Sequence, residues 1–356
     1  APRIEPEPLM PPAEEYIPNV QFLSNQSWED IAAQLRQQFA GVTRLTPELE
    51  AAALTAAGEE TEPLARVRAV YDYVNTLVTN DSGSNSAVRV LLEKAGDRNI
   101  LFKAILDALD ITVSWVYLRP NEAYLARTNW SAPRWDLFTY PHLMVELEGQ
   151  APLFVSLAQR MTPFARLPEH FDGGKGLVVG ADEQRILLLP TGDPEDSATA
   201  TTISLKLTDD TSVQVGMELV SKAVMAFAQK DRLKTLSAFQ KDLALRAMAN
   251  QLFPGSSLNS GDLRDLTDPD KPFAVVLDLT APKFLRPRGD EHLLRVILQP
   301  AQMVRRFCTV PRRTHPLHFR GQMILRDSVE VHAGDAYEIA TTPSDVLLVS
   351  PLGTYS

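Results

Sequence analysis

The sequence predicts an α+β protein in two parts. Three observations carry that expectation. Helical periodicity dominates up to about residue 110. Short apolar runs punctuated by turns follow, up to about residue 190. Beyond a polar linker, strand patterns return with one helical stretch among them. Helices and strands in separate runs, rather than in strict alternation, favour α+β over a doubly wound parallel sheet.

The chain has 356 residues, enough for two or three domains. Its 44% hydrophobic content can fill real cores, which excludes collagen and a wholly disordered chain. With 35 basic and 45 acidic residues the net charge is −10, which argues against nucleic acid as a partner. No run of 18 apolar residues is present, so no membrane span is expected in this fragment. The chain opens on Ala1-Pro2 and closes on Leu352-Gly353-Thr354-Tyr355-Ser356, and it reads as a piece of a longer parent extending at both ends. Cys308 is the single cysteine, so no internal disulfide and no cysteine-based zinc site can form.

Residues 1–24 carry Pro2, Pro6, Pro8, Pro11, Pro12 and Pro18 with acids between them, and predict an extended lead-in. Ser27 is placed to cap a helix, with Asp30 supporting its first turn and Gly41 ending it. Thr46-Pro47-Glu48 opens a short helix over 47–56. Leu64, Val67, Val70, Tyr71, Val74, Leu77 and Val78 mark one face of a longer helix from Pro63. Residues 79–86 are polar and turn-like, and 87–92 suit a short helix. Gly96-Asp97-Arg98-Asn99 then leads into the apolar helix Leu101–Leu109.

Ile111–Tyr117 is a strand, and 119–139 is a loop carrying Trp130 and Trp135. His142–Leu147 and Leu153–Leu157 pair through the Glu148-Gly149-Gln150 turn. Further strands fall at 177–179 and 186–189, and a polar linker follows. In the second half, 203–207 and 213–219 alternate as a hairpin with one buried face. One helix is expected over 229–252 on Leu233, Leu236, Leu243, Ala247 and Leu252. Strands return at 273–279, 293–298, 323–331 and 345–350, which suggests a sandwich with an inserted helix.

The segment 63–180 resembles the transglutaminase-like core of the papain-type cysteine enzymes. The resemblance rests on the Val67–Val78 helix, on Gly96-Asp97-Arg98 running into Leu101–Leu109, and on Asp110-Ile111-Thr112-Val113. It continues through Pro141-His142-Leu143-Met144-Val145, Phe154-Val155-Ser156-Leu157 and Leu167-Pro168. Active members place Cys after Gly-Asp, His at the start of a strand and Asp on the next strand. A thiolate at a helix N-terminus is stabilised by the helix dipole and an adjacent imidazolium, which the carboxylate orients. Here the positions fall on Arg98, His142 and Ser156. A guanidinium stays protonated and cannot act as nucleophile. The resemblance therefore implies an inactive core and a non-catalytic role. It also implies a bacterial envelope setting, periplasmic or extracellular, where such cores are flanked by β-rich domains.

The expected layout is a lead-in over 1–24, a transglutaminase-like core over 25–185, a linker over 186–197 and a β-sandwich-like domain over 198–356. The expected role is a binding or scaffold module for a protein, peptide or glycan, with Arg98, His142, Trp130 and Trp135 as contacts. Arg98 has two readings. It binds an anion at its helix N-terminus, or it makes a salt bridge to Asp97, Asp136 or another acid. His142 with Ser156 as nucleophile would make an amidase or acyltransferase of altered mechanism, and a third possibility is a structural spacer whose cleft its own side chains fill. Arg305, Arg306, Arg312, Arg313 and Arg320 form a basic stretch with three readings: contact with nucleic acid or an acidic partner, a solvated strand face, or an intramolecular contact with the acidic N-terminus. His315, His318 and His332 give no metal-binding pattern, and no cofactor is expected. No P-loop, Gly-x-Gly-x-x-Gly, His-Glu-x-x-His or Gly-x-Ser-x-Gly motif occurs.

Overall fold

The computed structural model describes residues 5–11, 26–120, 133, 137–181, 183–208, 211–294, 310–317, 322, 324–350 and 353–356. Its elements are a mixture of helices and largely antiparallel sheets, an α+β arrangement.

Helix α1 (Trp28–Ala40) opens with a reciprocal capping box. Asp30 N donates to Ser27 Oγ at 3.1 Å, and Ser27 N donates to Asp30 Oδ2 at 2.7 Å. Helix α2 (Pro47–Ala57) has Thr46 as its cap and proline in the first turn. Helix α3 (Pro63–Leu77) buries Val67, Val70, Tyr71 and Val74, one stripe as its spacing requires.

The polar stretch after α3 is not only a turn. It contains β1 (Asn80–Ser84), which pairs in parallel with the two-residue β2 (Ala95–Gly96) across helix α4 (Ala87–Glu93). Gly96 has φ +124, and a Cβ there would collide with Ser84 O. Only glycine fits this approach. Helix α5 (Arg98–Ala108) follows at once, with Asp97 as its N-cap.

A five-stranded antiparallel sheet comes next. Its members are β3 (Thr112–Arg119), β4 (Tyr140–Glu146), β5 (Leu153–Val155), β6 (Lys175–Val179) and β7 (Gln184–Leu188), in the order β5-β4-β3-β6-β7. Strand alternation sends Trp115, Tyr117, Leu143, Val145, Val155, Leu177 and Val179 into the core shared with α1–α5. Val116, Leu118, Met144, Phe154 and Val178 point the other way, where Phe171 and Leu189 cover them. Trp115 is a core residue, stacked on Phe39 with ring centroids 4.4 Å apart.

The second sheet is built from β8 (Ala198–Leu207), β9 (Val213–Ser221), β10 (Ser257–Arg264), β11 (Phe273–Ala281) and β14 (Ile324–His332), in the order β10-β11-β9-β8-β14. Strand β14 runs parallel to β8. Two short hairpins accompany it, β12 (Arg286–Arg288) with β13 (Glu291–Leu293), and β15 (Leu348–Ser350) with β16 (Gly353–Tyr355).

Two expectations are corrected here. The single helix expected over 229–252 is two, α6 (Ala223–Lys234) and α7 (Ala238–Leu252). The break falls where Ser237 caps α7 in a second capping box with Gln240, which restarts the helix. Leu243, expected in the core, is exposed on α7. Nor do the described residues form a sandwich of two facing sheets. Ala226, Leu233, Leu245 and Ala249 of the two helices, not a second sheet, pack on Ile203, Leu205, Val215, Met217, Val275 and Leu277. The other sheet face is open at Ala200, Thr202, Lys206, Gln214 and Asp278.

The two sheet systems meet through the 265–271 loop. Asp270 pairs with Arg68 of α3 and accepts from Phe164 N at 3.1 Å. No described helix is long and apolar enough to cross a membrane.

Candidate functional site

Arg98 is the first residue of α5 and is only 2% exposed. Its guanidinium donates to Asn75 Oδ1 of α3 at 3.2 Å and pairs with Asp81 Oδ1 of β1 at 2.9 Å. Asp97 is not its partner, because the Asp97 carboxylate caps the helix by accepting from Asn99 N at 2.8 Å. Of the two readings of Arg98, the salt bridge is the one formed, to an acid in the run expected to be a turn. Asp136 lies outside the described residues. Burial pulls the Arg98 pKa down, and the Asp81 charge opposes that pull. A guanidinium starts high enough to stay charged.

The surroundings of Arg98 are filled from within the chain. Arg160 donates to Val78 O at 2.6 Å. The Tyr71 hydroxyl donates to Thr162 O, and burial pushes its pKa up to about 12. Asn99, 5% exposed, accepts from Leu157 N at 2.8 Å and ties the start of α5 to the residues just after β5.

His142 and Ser156 lie just past the end of the β4–β5 pairing. Leu143 pairs with Val155 in this antiparallel ladder, and His142 and Ser156 are the next residues beyond that pair. Both are buried. His142 also pairs with Val116 in register, and it shares the face of Val116 and Met144. Its ring lies edge-on to Phe171, with centroids 5.5 Å apart. Phe154, two residues before Ser156, lies on that same face. The residues that face α5 here are Leu143, Val155 and Leu157.

The sheet therefore turns His142 to the face away from α5 and Arg98, with Ser156 just beyond the end of β5. Among the described residues, Arg98 and His142 do not line a common groove, as the sequence suggests they would. Trp130 and Trp135 lie outside the described residues. The physical reason is register. Alternation in a strand has a period of two, so residue 142 faces one side and residue 143 the other.

Burial pulls the His142 pKa down to about 4, so the ring is neutral at pH 7. Its Nδ1 lies 3.3 Å from Tyr140 O, and a neutral ring facing a carbonyl carries its proton on Nδ1. Ser156 Oγ accepts from Ala158 N at 3.4 Å. No hydrogen bond joins these two described side chains. An activated serine needs that bond.

A cleft of about 260 Å³ lies elsewhere, between Leu153 and Phe154 of β5, Arg166 and Leu167, and Asp193 and Asp196 of the following linker. Arg166 and Asp196 pair with each other across it. Among the described residues, no group of three or more His, Cys, Asp or Glu side chains is arranged to hold a metal ion.

No family model matches this chain, and no curated protein matches it. Among solved structures, the crystal structure of a "putative protease" from Parabacteroides distasonis is similar, with a TM-score of 0.37 and 11% identity. The match covers 72% of this chain and 53% of that one, so this chain spans about half the length of that protein. A likeness so slight carries no weight for fold or chemistry.

Proposed function

We propose that the chain is a non-catalytic scaffold or binding module of a bacterial envelope protein, built on a degenerate transglutaminase-like core over 25–185 with a second unit over 198–356. The core assignment rests on the sequence resemblance. One observation carries the non-catalytic part. At the helix start where that family keeps its thiol, this chain has a buried arginine already paired with Asp81 and hydrogen-bonded to Asn75. Leu143 and Val155 belong to the core on the α5 side of the sheet, while His142 shares the other face with Val116 and Met144.

The spacer reading gains from the same observation, because the would-be cleft at Arg98 is filled by the chain's own side chains. A scaffold of this kind works through its outer surfaces, towards a protein, peptide or glycan. The serine alternative lacks its defining hydrogen bond.

The test is turnover by the purified chain on fluorogenic peptide amides and acyl-transfer substrates, beside His142→Ala and Ser156→Ala. The expected result is no turnover above buffer in any of the three. Turnover in the wild type that disappears in either variant would overturn the proposal.

A further inference from the structure

Residues 5–11 lie against the 310–317 segment, more than 300 positions away in sequence. Glu7 is the focus of the contact. Its carboxylate accepts from Thr314 N at 2.7 Å, Thr314 Oγ1 at 2.6 Å and His315 N at 3.2 Å. Arg313 stands 3.6 Å from that carboxylate and donates to Pro8 O at 2.8 Å. Arg313 Nε also donates to His315 O at 3.2 Å, which folds the turn around its own guanidinium. Successive backbone N–H groups beside an arginine form a concave carboxylate receptor. These donors hold the Glu7 pKa down to about 2.

The present occupant fits this receptor imperfectly. Met10 N donates to Glu7 O at 3.2 Å, closing a turn whose third residue, Leu9, has φ +58. Glycine, not leucine, is at ease there. The Glu7 N–H donates to the Met10 thioether, a weak acceptor, at 3.1 Å. Arg313 Nη1 is buried without an acceptor among the described residues. The receptor is thus well built and its resident segment is strained, with one buried donor left over.

We propose that the 313–315 turn is a docking site for an extended acidic peptide of a partner protein, with proline directly after the acid, and that residues 5–11 occupy it as an exchangeable internal competitor. Proline suits the position after the acid. It holds the preceding residue extended and presents its carbonyl to Arg313 without adding an N–H that needs a partner. The proposal stands apart from the question of catalysis in the core, so either can fail alone.

The experiment measures fluorescence anisotropy of a labelled Glu-Pro-Glu-Pro-Leu-Met-Pro peptide, matching residues 5–11, with the full chain and its Glu7→Ala and Leu9→Gly variants. Glu7→Ala removes the competitor and should bind the peptide about tenfold tighter than wild type, as expected for loss of an intramolecular ligand. Leu9→Gly relieves the strained turn and should bind it more weakly than wild type. A peptide with Gln in place of its second Glu should lose the gain seen with Glu7→Ala. Equal binding by wild type and Glu7→Ala overturns the proposal. So does a wild-type dimer, seen by sedimentation, that Glu7→Ala dissolves, because the site would then serve a second copy of this chain.

Discussion

Arg98 opens α5 on one side of the β5-β4-β3-β6-β7 sheet, and His142 faces the other side, with Val116, Met144 and Phe171. Asn99 is bonded to Leu157, and His142 and Ser156 are the next residues beyond the last β4–β5 pair, Leu143 with Val155. The helix start and the strand ends are thus adjacent as backbone. The side chains that a nucleophile and a base would use point apart. That separation gives the proposed scaffold role its physical basis.

The Arg98–Asp81 pair should respond unequally to its two deletions. Asp81 is 61% exposed, while Arg98 is 2% exposed. Removing Asp81 takes away the ion-pair partner of a buried cation and leaves its hydrogen bond to Asn75, so Asp81→Ala should cost about 2–3 kcal/mol. Arg98→Met removes the buried charge, leaves its partner in water and should change stability by less than about 1 kcal/mol. Urea unfolding of the two variants checks this. Equal costs would mean that the pair is not buried in solution.

Acid should weaken the fold through His142. Its folded pKa of about 4 lies below the unfolded value of 6.5, so the unfolded chain takes up the proton first as pH falls. Stability should decline from about pH 6.5 to about pH 4, by about 3 kcal/mol at about 1.4 kcal/mol per pH unit. Glu7, held at about 2, acts in a lower window, losing its contribution below its ordinary 4.5. Unfolding midpoints at pH 7.5 and 4.5 should differ less in His142→Phe than in wild type. An unchanged difference would place a solvated histidine at this position.

Much of the fold can be read from the sequence, and the misses have identifiable causes. Ser27-x-x-Asp30 and the Val67–Val74 stripe report strong local preferences that packing reinforces. Strand β10 escapes because, as an edge strand that is mostly exposed, it carries no apolar alternation. Asp81 escapes because its run is polar and its role depends on β2, which packs beside it only in three dimensions. The motif match finds His142 at the start of its strand but does not report which face it takes. A shift of one residue in register decides that, and no local pattern of polarity around Pro141-His142-Leu143 records it.

Lys230 should anchor the contact between the two sheet systems. It is fully buried, and its Nζ donates to Asp268 O and Lys271 O at 2.6 and 2.5 Å. Those carbonyls flank Asp270, the residue that holds Arg68 and Phe164 N. Lys230→Met leaves both carbonyls unpaired and should cost about 2 kcal/mol. Hydrogen exchange should quicken over 265–271 and, through Asp270, at Phe164. Unaltered exchange at Phe164 would show that Lys230 does not position Asp270.

The most direct test of the non-catalytic account restores the missing nucleophile. Arg98→Cys with Ser156→Asp, made in a Cys308→Ser background so that one thiol remains, rebuilds the three residue types of the resembled site. The pH dependence of its alkylation by iodoacetamide reports whether an imidazole stands beside the thiol. With His142 on the far face, the account predicts an ordinary thiol titration that His142→Ala leaves unchanged, and no turnover of peptide amides. A thiol reactive well below its ordinary pH range, returned to ordinary behaviour by His142→Ala, would contradict the account.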